Sequence, residues 1–118
     1  MAKSAKIYQM LELLKKRDER RWQYREELRR EVRQRLKQAL HELVPGEKIL
    51  LFGSITRAHA FHERSDVDIA FIEEPKKHSL YRLQAQLEEM TRHQVDLIIL
   101  SECRFREKIE REGEAWMT

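Results

Sequence analysis

From Ser4 to Val44, more than a third of this 118-residue chain, there is neither glycine nor proline. Good helix formers dominate the run, so its backbone has one favourable option, a helix. Leu28, Val32, Leu36, Ala39, Leu40 and Leu43 recur at steps of three and four, which predicts an apolar stripe facing a core. Ile7, Met10, Leu11 and Leu14 make a second, shorter stripe. Between the two lies 15-KKRDERRWQYREE-27, almost wholly polar apart from Trp22 and Tyr24. One continuous helix would run about 60 Å at ~1.5 Å per residue. That exceeds the diameter of the domain the other residues can build, so part of it should project or fold back. Pro45-Gly46 ends it.

Beyond Gly46 the period changes. Lys48–Phe52 and Val67–Ile72 read as buried strands, and Val95–Leu100 as a third, interrupted by Asp96. Ser79–Arg92 returns to helical spacing through Leu80, Leu83, Leu87 and Met90, with Ser79 as N-cap. The tail Ser101–Glu112 predicts a polar helix stopped by Gly113. The expected fold is α/β (α+β), a small mixed sheet flanked by helices. Residues 1–27 form a helical extension and 28–118 the domain proper.

No apolar run approaches the roughly 20 residues that span a bilayer, and no apolar core of a signal peptide is present. The lone Cys103 excludes an intrachain disulfide and a cysteine zinc cluster, which points to a reducing cytoplasm. The net charge of +3 hides an asymmetry: the long helix is basic, and the remainder is acidic. A nucleic-acid-binding arm would explain that, as would a solvated helix face. The mixed-in acidic residues favour the latter.

The chemistry concentrates in 50-LLFGSITRAHAFHERSDVDIAFI-72. Asp66 and Asp68 are one residue apart on the leading edge of a strand, so they share a face with Cα atoms roughly 6–7 Å apart. Like charges entering a core are costly unless a cation neutralises them, and a hard oxygen-seeking ion such as Mg²⁺ suits the pair. Asp96 is a third acid inside an apolar strand. If the strands lie side by side, three acids can hold two ions about 3.5–4 Å apart, the arrangement that clamps attacking and leaving oxygens in phosphoryl transfer. Upstream, Gly53 ends a strand and Ser54 is expected to cap a short helix, Ile55–Ala60. Its free N–H groups would make an anion site. No P-loop pattern is present. Phosphate-binding backbone facing metal-binding carboxylates describes a nucleoside triphosphate site.

Those residues resemble the minimal nucleotidyltransferases of the DNA polymerase β superfamily. The signature stands here as Phe52-Gly53-Ser54, a spacer, Asp66-Val67-Asp68, and Asp96 within Val95-Asp96-Leu97. The chain departs from the frequent G-S-x-A-R-G at Ala58, while Arg57 is kept. The resemblance implies that Gly53 and Ser54 hold the triphosphate of ATP. It further implies that Asp66 and Asp68 bind two Mg²⁺, and that Asp96 helps bind one of them and orients or deprotonates the attacking hydroxyl. Arg57 is the preferred phosphate-contacting cation. The implied reaction moves AMP from ATP onto a hydroxyl with loss of pyrophosphate. Many stand-alone members of the family are antitoxins that adenylylate a tyrosine of a helical HEPN ribonuclease toxin, so such a toxin is the expected acceptor.

Two other readings stand beside it: a non-catalytic subunit that sequesters a partner, and a nucleic-acid binder working through the basic helix. His41, His59, His62, His78 and His93 show no metal-ligand spacing with the acids. Trp116 is expected against the core, and Trp22 against either a partner or the fold. The stripe Ile7–Leu14 is expected to be covered by a partner or by a second copy of the chain.

Overall fold

In the computed structural model, which describes residues 2–118, the first helix α1 runs unbroken from Ala2 to Leu43. The molecule measures 70 Å along its longest axis but only 29 and 20 Å across, so the N-terminal half of α1 projects from the domain. Val32, Leu36, Ala39 and Leu40 are buried, whereas Ile7, Met10 and Leu11 are 59, 61 and 58% exposed. The inner stripe therefore packs as its spacing predicts, and the outer stripe is exposed. Gly46, at φ +77°, turns the chain where Pro45 forbids further helix.

Four strands follow: β1 Lys48–Phe52, β2 Val67–Phe71, β3 Val95–Ile99 and β4 Glu114–Met117. Their order across the sheet is β3-β2-β1-β4. β1 is antiparallel to both β2 and β4, and β2 is parallel to β3. The parallel pair needs a crossover, supplied by α2, Leu80–Thr91. Ser79 caps α2 as expected, its Oγ accepting from the Arg82 N–H at 3.1 Å.

Strand alternation divides the sheet into two faces. Ile49, Leu51, Val67, Ile69, Phe71, Val95 and Ile99 join the main core, where α1 and α2 cover them. Leu50 and Ala70 point the other way, with Phe52, Ile72 and Ile98. On that side the cover is thinner: a 3₁₀ turn at Leu100–Glu102 and a short α3, Arg106–Glu112, which contribute Leu100 and Ile109. Asp68 and Asp96 alternate with main-core residues, so they belong to this second, more open face.

Three expectations need correction. The tail is not one helix from Ser101 to Glu112, because its first residues form the 3₁₀ turn and only Arg106–Glu112 is α-helical. After Gly113 the chain becomes β4, a strand that the polar tail does not announce. It forms because β1 offers a free edge, with Leu50 paired to Ala115 and Ile49 to Trp116. The third correction concerns the segment after Gly53. Instead of a helix over Ile55–Ala60 there is a single 3₁₀ turn, Gly53–Thr56, with no side-chain cap.

The cause is a competition for hydrogen bonds. An α-helix there would need the His59 N–H to donate to the Ile55 carbonyl. Instead Arg29 Nε on α1 donates to that carbonyl at 2.7 Å, and the His59 N–H donates to Glu26 Oε1 at 2.5 Å. Arg29 and Glu26 themselves pair at 3.2 Å. Two neighbouring side chains of α1 thus satisfy both groups that the helix would have used. His59 is left at φ +64°, in the left-handed region.

Candidate active site

The register of the sheet brings the acids together. In the parallel pair Asp68 stands opposite Asp96, and in the antiparallel pair Phe52 stands opposite Asp68. Phe52, Asp68 and Asp96 therefore form one row across three strands, with neighbouring strands about 4.8 Å apart. Asp66 sits two residues before Asp68, where the Val67 N–H already donates to the Gln94 carbonyl at 2.8 Å. Asp66 and Asp96 are exposed, while Asp68 is partly buried.

That difference has an electrostatic consequence. Burial first, then the Asp96 charge and then the Asp66 charge, push the Asp68 carboxyl up from its ordinary 3.8 to about 6. The Asp96 and Asp66 charges both act on Asp68, and a hard cation is the natural relief. The donor set, carboxylate oxygens on an open sheet face, fits Mg²⁺. Among the described residues, no three His, Cys, Asp or Glu side chains are gathered at the spacing of a preformed metal cage. Asp68 and Asp96 share a face, and Asp66 adds its charge from just before β2, without finished ligand geometry.

Gly53 begins the turn directly above this row. Its φ is +77°, and a Cβ there would lie 3.3 Å from Asp68 Cγ and closer still to Oδ2. Glycine is required twice, for the backbone angle and for the carboxylate beside it. The turn is closed by Thr56 Oγ1, which donates to the Gly53 carbonyl at 2.7 Å, and by the Arg57 N–H, which donates to Ser54 O at 3.1 Å. Ser54 is partly buried within the turn.

From the far side the turn is gripped by α1. Besides Arg29, Arg33 Nη1 donates to the Ile55 carbonyl at 3.4 Å, and Trp22 lies 5.9 Å from the His59 ring. Arg33 also pairs with Glu114 at 2.6 Å and lies 5.2 Å above the Trp116 ring, which packs on the main core. The His59 N–H holds the Glu26 carboxyl below its ordinary value. The middle of α1, read from sequence as polar surface, is thus the support of the turn.

On the near side a cleft of about 550 Å³ opens between the turn and α3, lined by Phe52, Gly53, Thr56, Arg57, Phe105, Lys108, Ile109 and Glu112. Arg57 and Gly53 both line it. Lys108 was missed, since nothing in the spacing of the polar tail distinguishes it from a solvated lysine. Of the histidines, His93 Nε2 lies 2.5 Å from the Ser65 carbonyl, and none joins a metal cluster among the described residues.

Comparison with known proteins agrees with this architecture. No curated protein matches the chain. Among solved structures, a toxin–antitoxin crystal structure with AMP-PNP is similar at a TM-score of 0.53 and 24% identity, over 72% of this chain and 73% of that one. The MntA-HepT toxin–antitoxin structure is similar at 0.51 and 22%, over 74% and 71%. At such identity the likeness speaks for the fold. No helix among the described residues is long and apolar enough to cross a membrane. Residues 34–117, well over half of the chain, match the family model described as polymerase beta, nucleotidyltransferase, and the chain belongs to that family.

Proposed function

We propose that this nucleotidyltransferase moves AMP from ATP to a hydroxyl of a partner protein, a tyrosine of a HEPN-type helical toxin, and so serves as its antitoxin. The observation that carries the reading is the row Asp68–Asp96 with the bare Gly53 against Asp68. Two similar structures are toxin–antitoxin complexes, and one is described with AMP-PNP, which supports the choice of acceptor and nucleotide.

Asp66, Asp68 and Asp96 would hold two Mg²⁺, which when bound would neutralise phosphate charge and favour attack at the α-phosphorus. The Gly53 backbone, the Ser54 hydroxyl and Arg57 bind phosphate oxygens and align the triphosphate. Asp96, exposed on the sheet edge strand β3, meets the acceptor hydroxyl and takes its proton as the new oxygen–phosphorus bond forms. The bond between the α-phosphorus and the bridging oxygen breaks, and pyrophosphate leaves. The exposed stripe Ile7–Leu14 on the projecting extension, residues 1–27, is where the partner is gripped. A reducing cytoplasm, suggested by the free Cys103, is the setting.

The test is incubation of the chain with α-labelled ATP, Mg²⁺ and a HEPN-type toxin. Label should become bound to the toxin and should disappear when the acceptor tyrosine is replaced by phenylalanine. Label that never leaves the nucleotide pool would overturn the enzymatic reading and leave sequestration in its place.

A further inference from the structure

Asp66 stands just outside the sheet, because the pairing of β2 with β3 begins at Val67, opposite Val95. It is exposed and bears on Asp68 with a like charge, so repulsion would drive an unsecured carboxylate away from the row. Two hydrogen bonds secure it. On one side of Asp66 the Ser65 carbonyl accepts from His93 Nε2 at 2.5 Å, and on the other the Val67 N–H donates to the Gln94 carbonyl at 2.8 Å. A carbonyl only accepts, so Nε2 carries the proton. These groups lie in the two peptide planes that meet at the Asp66 Cα. A peptide unit is planar, so holding both planes fixes φ and ψ of the residue between them, and with these the direction of its Cβ. Both anchors are consecutive residues in the link from α2 to β3, the strand that carries Asp96.

We infer that His93 is a positioning residue for Asp66: by holding the Ser65 carbonyl it fixes where the Asp66 side chain leaves the backbone, beside Asp68 and Asp96, and so sets the affinity for a divalent cation. The imidazole is itself held. Its ring lies 4.7 Å from that of the fully buried Phe61. The buried Thr91 donates from Oγ1 to the Leu87 carbonyl at 2.7 Å and lies 3.4 Å from the His93 carbonyl, while Arg92 turns the chain between them at φ +57°. Ser65 is braced from its own loop, its N–H donating to the His62 carbonyl and its Oγ accepting from the His62 N–H, both at 3.0 Å. The Gln94 contact is made by backbone and is open to any residue. The His93 contact needs a side-chain donor, which makes it specific. The inference rests on the reading of the three acids as cation ligands, and adds what keeps the outermost one in place.

The experiment is titration of the full chain with Mn²⁺, which takes the same oxygen ligands as Mg²⁺ and whose free form is counted by electron paramagnetic resonance. The unaltered chain should bind Mn²⁺, and Asp66→Asn should weaken that binding. His93→Phe keeps a ring against Phe61 but has no donor. It should weaken Mn²⁺ by about tenfold, the lower end of the loss for a residue that orients a metal ligand. His93→Gln, which returns an N–H near the Nε2 position, should recover most of it. Where Phe does not fit beside Phe61, His93→Ala carries the same comparison. Adding His93→Phe to Asp66→Asn should cost little further affinity, because His93 acts through Asp66. A merely structural role predicts a loss that follows the thermal midpoint and adds in full to that of Asp66→Asn. Such additivity, or Mn²⁺ affinity unchanged by His93→Phe, would overturn the inference and leave the reading of the acids intact. If the unaltered chain binds no Mn²⁺, or Asp66→Asn binds it equally well, both fall.

Discussion

Asp68 fills the space into which a side chain at position 53 would project, its Cγ 3.3 Å from where that Cβ would stand. The glycine of the turn and the central acid of the sheet are therefore one fitted pair. Gly53→Ala should force either the turn or the carboxylate to move, and the φ of +77° adds strain of its own. The expected cost is about 1–3 kcal/mol of stability, read as a lower denaturant midpoint. Nucleotidyl transfer should be lost even where the domain still folds.

Asp68 also ties stability to pH. Its carboxyl sits near 6 in the folded protein against 3.8 ordinarily, so the folded state binds the proton more tightly than the unfolded one. Metal-free stability should consequently fall as pH rises from about 4 to above 6. The change should be on the order of 1–2 kcal/mol once partial solvent exposure is allowed for. Asp68→Asn should flatten that slope, raise the metal-free melting temperature at pH 7 and abolish transfer. Thermal melts in EDTA across this pH range are the check, and added Mg²⁺ should restore stability above pH 6 in the unaltered chain alone.

The clasp from α1 makes a prediction far from the acids in sequence. Arg29→Ala removes the donor to the Ile55 carbonyl and the partner of Glu26. A stability loss of about 1–3 kcal/mol is expected. ATP affinity should fall with it, because the turn carrying Gly53 and Ser54 loses its support. Glu26→Ala combined with Arg29→Ala should cost less than the two single losses added together, since the residues act on one turn.

Ser54→Ala should weaken triphosphate binding more than metal binding. A lost hydrogen bond to a charged group costs about 1.5–3 kcal/mol. Titration with MgATP and with Mg²⁺ alone separates the two, and unchanged ATP affinity would reduce Ser54 to a turn residue.

Removing residues 1–21 should leave a folded domain. The first described contact of α1 with the rest of the chain is Trp22 against His59, and the buried stripe begins beyond it. The melting temperature should stay within a few degrees, while self-association or partner binding is lost. An unfolded truncation would show that the extension belongs to the domain's own core.

What the sequence by itself determined is what local rules govern. The run free of glycine and proline made α1 inevitable, short apolar runs marked β1, β2 and β3 as buried strands, and Ser79 announced the start of α2. The acids were legible for the same reason: Asp66, Asp68 and Asp96 break apolar patterns that a core would otherwise keep. Tertiary structure decided what depends on residues distant in sequence. Segment 55–60 has adequate helical composition, yet Arg29 and Glu26 occupy its hydrogen bonds from α1. Glu114–Met117 has no pattern of its own and becomes a strand because the edge of β1 has unpaired backbone groups to satisfy. Gly113 permits that path, since a Cβ there would come 3.2 Å from the Leu51 carbonyl. Lys108 comes to line one cleft with Arg57 only because α3 folds beside the turn. A hydrogen bond or a facing charge supplied from afar leaves no local periodicity behind, so only the folded chain reveals it.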